Sequence, residues 1–270
     1  MERATLARIW LLAWFVLPLG LPLLTPDDSI PPLHGSYFGD APGTFRSHLT
    51  ETVATLREVA LMARDITAVV PVEVNPGDDV VVLVHGFFAS AGVFRPMRSH
   101  LVTDTNAKVA SFTHAPGLGI DRIARSLARL IARIPVGCRV HLVGHSLGGL
   151  VSRWYVQELG GHARVTQTIS LGSPFGGTER ARPFRFLVGA ELHRSSPTLA
   201  RLRARAHEHD VPHMSVVGEA DALIVPRESA VFPRGDVVVL PGRGHNSLLF
   251  DPESITRVVD RIRKHQKPAT

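Results

Sequence analysis

Short unbroken apolar runs alternate along this chain with longer stretches in which apolar residues recur every three or four positions. Val80-Val81-Val82-Leu83-Val84 follows the turn signal Asn75-Pro76-Gly77-Asp78 and has no polar member, as a strand buried on both faces requires. Similar runs predict strands near Lys108–Phe112, Arg139–Val143, Val165–Leu171, His213–Val217 and Asp236–Leu240. Helical spacing predicts helices near Ile120–Ile134, Leu147–Leu159 and Glu253–Lys264. A further helix is expected from a Thr44 cap to about Ile66, with Phe45, Leu49, Val53, Leu56, Val59, Ala63 and Ile66 at helical spacing. Strands alternating with helices predict an α/β fold, a mostly parallel sheet with helices on both faces.

One stretch breaks the rhythm. Between Ser173 and Pro212 no strand pattern appears, and seven arginines from Arg180 to Arg205 are interspersed with Phe184, Leu187, Leu192, Leu199 and Leu202. An amphipathic insertion at about 174–212, after the strand near 165–171, is expected to roof the sheet's edge as a cap or lid. The plainer reading is surface helices packed on the body. The organisation expected is a targeting segment at 1–26, a linker and helix at 27–78, and the α/β domain at 79–270.

The N-terminal segment places Arg3 and Arg8 before an uncharged run from Ile9 to Leu24. The run is longer than a usual signal-peptide core and shorter than the ~20 residues that comfortably span a bilayer. Pro18, Gly20 and Pro22 break its second half as a helix. A signal peptide or a membrane anchor is expected, and with it a secreted or membrane-anchored protein.

Composition narrows the partners. The formal charge is +6, carried almost wholly by arginine, with Lys108, Lys264 and Lys267 the only lysines. Arg122, Arg125, Arg129 and Arg133 share one face of a predicted helix whose other face carries Ile123, Leu127, Leu130, Ile131 and Ile134. That is a solvated face, and no aromatic-interleaved basic cluster accompanies it, so nucleic acid is not an expected partner. Cys138 is the sole cysteine, which excludes an intrachain disulfide and a cysteine-rich metal site.

The chemistry lies in Gly144-His145-Ser146-Leu147-Gly148, between a predicted strand and a predicted helix. A strained elbow there pushes a serine hydroxyl out of the strand end, and side chains two before or two after the serine would clash. Serine needs a base, and the base needs an orienting carboxylate. In a parallel α/β sheet working residues lie at the strands' carboxyl ends. That rule selects Asp221, after the strand ending near Val217, and His245, after the strand ending at Leu240. Glu219 and Asp251 are the rival acids. Two amides should hold the oxyanion: that of Leu147, and that of Phe87 in His85-Gly86-Phe87-Phe88, where Gly86 lets the backbone pass close to the nucleophile. His85 and His145 support the motif geometry, since neither follows the last strand.

Val84-His85-Gly86-Phe87, Gly144-His145-Ser146-Leu147-Gly148-Gly149, Gly218 to Asp221 followed by Val225-Pro226, and Gly244-His245 followed by Ser247-Leu248 resemble bacterial lipases and esterases of the α/β-hydrolase superfamily. The likeness spans roughly Val80 to Lys264. Ser170 to Gly177 also resembles a loop bordering the active site of such lipases, many of which have histidine where Phe175 stands. The resemblance implies an α/β-hydrolase fold and carboxylic-ester hydrolysis by Ser146, His245 and Asp221 without an organic cofactor. Ester or lipid substrates follow from it; a membrane surface is expected as a partner from the basic charge and the N-terminal apolar run instead. Some of these lipases hold a structural calcium near the catalytic histidine. Asp251 alone cannot supply the six or more oxygens calcium takes, so no metal is expected. Two other readings stand beside hydrolysis: an acyltransferase using the same triad, and a non-catalytic lipid-binding protein of this fold.

Overall fold

The computed structural model describes residues 45–65, 71, 73–184 and 189–266. The expected targeting segment at 1–26 lies outside them. Six strands, β1 (Asp79–Val84), β2 (Lys108–Phe112), β3 (Arg139–His145), β4 (Val165–Leu171), β5 (His213–Gly218) and β6 (Asp236–Leu240), pair into one sheet in the order β2-β1-β3-β4-β5-β6. Every pairing is parallel. From β1 the chain steps to β2 on one side, then returns past β1 to β3 on the other. The order therefore reverses between β1 and β3, and a crevice opens outside their carboxyl ends.

The strands' alternation divides the core. Val80, Val82 and Val84 belong to one apolar cluster and Val81 and Leu83 to the other. The first cluster takes in α3 (Ile120–Ile131) through Ile123 and Leu127, and α4 (Leu147–Glu158) through Leu150 and Val151. The second takes in α2 (Arg95–Asp104) through Met97 and Leu101, and α7 (Pro252–His265) through Ile255, Val258 and Ile262. A sheet buried on both faces needs such continuous apolar runs.

Most predicted elements appear within a few residues of their expected ends. Helix α3 stops at Ile131 rather than Ile134, because Pro135 disfavours helical backbone in the residue before it. Helix α7 starts at Pro252, with Asp251 as N-cap accepting from the Ser254 amide at 3.1 Å. The insertion expected at about 174–212 contributes two short helices, α5 (Gly189–Leu192) and α6 (Pro197–Ala204). Both are docked on the body: Leu199 and Leu202 are fully buried, and Glu191 accepts from the Ile120 amide at 2.7 Å.

The N-terminal helix α1 (Phe45–Met62) departs from its sequence pattern. An apolar stripe at helical spacing ordinarily faces the core. Here Leu49, Val53 and Leu56 are 55–58% exposed, while Ser47, Thr55 and Glu58 are buried. The helix turns Glu51 and Thr55 inward because their polar partners lie there, in the loop after β6. Replacing Leu49, Val53 or Leu56 by glutamine should therefore move the unfolding free energy by no more than about 0.5 kcal/mol. Leu127→Ala, at a fully buried position, should cost about 2–5 kcal/mol. Urea denaturation checks both.

Candidate active site

Ser146 sits between β3 and α4 at φ 52°, ψ −120°, a conformation an L-residue rarely adopts. Two glycines make it attainable. A Cβ on Gly144 would lie 2.3 Å from the Gly149 nitrogen, and one on Gly148 would lie 2.0 Å from the Val84 carbonyl oxygen. The elbow is pinned to β4 by the Ser146 amide, which donates to the Leu171 carbonyl at 2.9 Å. The Leu147 amide opens α4, among the helix N–H groups that have no intrahelical acceptor.

The loop after β1 passes against the serine: a Cβ on Gly86 would lie 3.0 Å from the Ser146 Cβ. Gly86 and Ala89 close a turn, with the Ala89 amide donating to the Gly86 carbonyl at 3.4 Å. Phe88, its third residue, has φ 57°, where glycine or asparagine usually sits. The Phe87 and Phe88 rings lie against each other with centroids 3.9 Å apart.

Behind this loop, His85 Nε2 accepts from the His114 amide at 3.1 Å, so its proton is on Nδ1, which donates to the Gly86 carbonyl at 2.8 Å. Burial and the stacked His114 ring push His85 down to about 3. It is a neutral strut for the turn.

At the other strand ends, His245 Nδ1 donates to Asp221 Oδ2 at 2.7 Å, and both side chains are buried. The second oxygen, Asp221 Oδ1, accepts from the Leu223 and Ile224 amides at 2.8 and 3.0 Å. Two fixed N–H groups thus orient the carboxylate toward the imidazole. The rival acids are occupied elsewhere: Glu219 accepts from the Gly242 amide at 3.1 Å, and Asp251 caps α7 and pairs with Arg243.

The serine elbow and the Asp–His pair both meet the end of β4. Leu171 takes the Ser146 amide, and the next residue, Gly172 (φ 57°), lies against the Asp–His pair. A Cβ there would stand 3.0 Å from His245 Nδ1 and 3.2 Å from Asp221 Oδ2. A direct tie also crosses the gap. His145 Nε2 donates to the His245 carbonyl at 3.2 Å, the rings 4.7 Å apart. Burial, then the nearby His245 charge, holds the His145 ring well below the usual imidazole range. Phe175, where many lipases resembling this chain have histidine, is fully buried and meets His213 and Phe232 edge-on.

Opposing forces act on His245. Burial lowers its proton affinity and is the largest influence. The charge and hydrogen bond of Asp221, then the charges of Glu51 and Glu58, together outweigh it and raise the pKa above 6.5. A base must be neutral to accept a proton. If His245 serves as the base, kcat/KM should fall as pH drops through a value above 6.5, a limb that a pH–rate profile reads directly.

Sequence reasoning missed the two α1 acids. Glu51 Oε1 accepts from the Asn246 amide at 2.6 Å, and Oε2 from the Ser247 amide at 3.0 Å. Their only sequence signal was an acid every seventh residue on a helix whose apolar stripe seemed to claim the inner face. Among the described residues, no three His, Cys, Asp or Glu side chains are grouped to hold a metal ion.

A parallel sheet with its order reversed at β1/β3, a serine elbow after β3 and an Asp–His pair beyond β5 and β6 have the layout of the α/β-hydrolase fold. The palmitoyl protein thioesterase family model matches residues 80–206. No curated protein sequence matches the chain. Among solved structures, the mature lipase of Bacillus licheniformis is similar over 73% of this chain and 97% of its own, at 15% identity and TM-score 0.60. Aspergillus fumigatus lipase B is similar over 89% of this chain and 64% of its own, at 20% identity and TM-score 0.60. A metagenomic carboxyl esterase is similar over 71% and 78%, at 18% identity and TM-score 0.55. These likenesses establish the α/β-hydrolase fold.

Proposed function

We propose that the chain is a serine hydrolase that cleaves carboxylic esters, with lipid esters the favoured class. The observation carrying this reading is the positive-φ Ser146 set across Leu171–Gly172 from a buried Asp221–His245 pair. Ser146 Oγ attacks the acyl carbonyl while His245 Nε2 takes its proton. The amides of Phe87 and Leu147 receive the oxyanion. Collapse breaks the bond to the alcohol oxygen, which takes the proton from His245. Water then attacks the acyl-enzyme, His245 accepts a proton from that water, and returns it to Ser146 as the acid leaves. Asp221 holds Nδ1 protonated and stabilises the cation in between. The paired Phe87 and Phe88 rings, on the loop whose Gly86 passes the serine, suit an apolar acyl chain.

The family match favours a second substrate, the S-acyl thioester, cleaved by the same steps with a thiol leaving. Matched oxygen and sulfur esters of short, medium and long acyl chains decide between the two, and activity confined to chains of a few carbons would reject lipid preference. Adding an acceptor alcohol separates hydrolysis from acyl transfer. A fluorophosphonate probe should modify Ser146, located by peptide mass, and an unlabelled folded protein would reject covalent catalysis.

The run Ile9–Leu24 supports secretion or membrane anchoring. Among the described residues no helix is long and apolar enough to cross a membrane. Recovery of the whole protein from the cytosol alone, with Met1 retained, would reject that localisation.

A further inference from the structure

The His245 loop is held from a part of the chain remote from the hydrolase motifs. Glu51 straddles it from α1, one carboxylate oxygen on the Asn246 amide and the other on the Ser247 amide. These amides begin the 3-10 turn Asn246–Leu249, for which His245 is the N-cap residue. The fit is close: a Cβ on Gly244 would stand 2.3 Å from Glu51 Oε2. One helical turn further, Thr55 Oγ1 accepts from the Asn246 side-chain amide at 3.0 Å. His245 is thus gripped on two sides, by His145 at its carbonyl and by α1 through the two residues that follow it.

A cap does not require a charge: serine, threonine and asparagine serve as well as aspartate. A buried carboxylate is costly unless a positive charge compensates it. The titratable groups around His245 are Asp221 from the loop after β5, Glu51 and Glu58 from α1, and His145 from β3. Burial raises the pKa of Glu51, and the nearby Asp221 adds to that, while the two amides and His245 oppose it. Glu58 is raised to about 7 by burial, with His245 opposing and Glu51 adding. The cation of this cluster is His245 itself. The arrangement is therefore best balanced when the imidazole is protonated, the state formed as serine is deprotonated. Charges fixed in advance for that state lower the barrier.

We propose that Glu51 is a positioning residue for His245, making α1 a working part of the site rather than an N-terminal appendage. This rests on the serine-hydrolase reading above. The test uses Glu51→Gln and Thr55→Val in the full chain, with nitrophenyl-ester kinetics, active-site titration by fluorophosphonate, and a pH profile. Glu51→Gln should lower kcat per titrated site about 10- to 100-fold with KM little changed, as small misplacements of a reacting group do. The acid limb of kcat/KM should move to lower pH in Glu51→Gln, because a carboxylate near His245 is gone, and stay in place in Thr55→Val, which removes no charge.

A merely structural cap predicts otherwise. A loss of titratable sites with unchanged kcat per site and an unmoved acid limb would overturn the proposal. Should Glu51→Gln yield no folded protein, Thr55→Val decides, since it cuts the other tie from α1 to the loop: an unchanged kcat per titrated site overturns the proposal. Wild-type protein labelled at Ser146 alongside unresponsive Glu51 and Thr55 variants defeats only this inference. Absence of labelling in the wild type defeats the underlying reading instead.

Discussion

Replacing Ser146 by alanine should reduce ester turnover by about 10⁴- to 10⁶-fold, the loss seen when a triad nucleophile is deleted. The variant should fold. The Ser146 amide still donates to Leu171, and Gly144 and Gly148 still admit the turn. Alanine keeps the Cβ and therefore keeps the strain of φ 52°, of order 1–3 kcal/mol. Ser146→Gly removes that strain. It should be equally inactive yet more stable than Ser146→Ala by about 1 kcal/mol, after the greater unfolded-state freedom of glycine is set against the relief. Thermal unfolding of the two variants beside their turnover checks the pair. Near-normal turnover by folded Ser146→Ala would remove the nucleophile, and Ser146→Gly melting below Ser146→Ala, by the ordinary cost of glycine, would show that the elbow stores no strain.

Asp221→Asn should lower kcat by about 10⁴-fold, as loss of the orienting carboxylate does in serine hydrolases, through the tautomer of His245 rather than through the fold. The reason is visible in the carboxylate's partners. Oδ1 accepts from the Leu223 and Ile224 amides while Oδ2 accepts from His245 Nδ1. In the variant, two N–H groups select the amide oxygen for the first position. The amide nitrogen then faces the imidazole and donates to Nδ1, so the ring proton moves to Nε2. That nitrogen can no longer take a proton from serine. Flipping the amide would instead aim its N–H groups at two backbone donors. The loss should appear in kcat at saturating substrate, with circular dichroism unchanged. A decrease below about tenfold would mean that another group sets the tautomer.

Much of this site was legible before folding was considered. The elbow is a local event: the Gly144 and Gly148 contacts that allow φ 52° at Ser146 arise within a few residues or at the adjacent strand end. Asp221 and His245 were found because strand periodicity shows where strands end and a parallel sheet gathers those ends on one side. The choice of Asp221 over Glu219 and Asp251 had no local signal. It depended on which carboxylate the Leu223 and Ile224 amides turn toward the imidazole, and on other duties for the rivals. Likewise, Phe88 at φ 57° gives no sign of itself in a run of bulky residues.

Strand and helix order, the serine turn and the strand-end positions of Asp221 and His245 follow from short-range sterics and from the period of apolar residues, both written along the chain. The facing of α1 does not. Leu49, Val53 and Leu56 have the spacing of a core stripe, yet they point outward because Glu51 and Thr55 find the His245 loop nearly two hundred residues away. A helix's inner face is settled by whichever surface it packs against. When that surface offers unpaired N–H groups and an imidazole, carboxylates on the helix outcompete its leucines for the buried side.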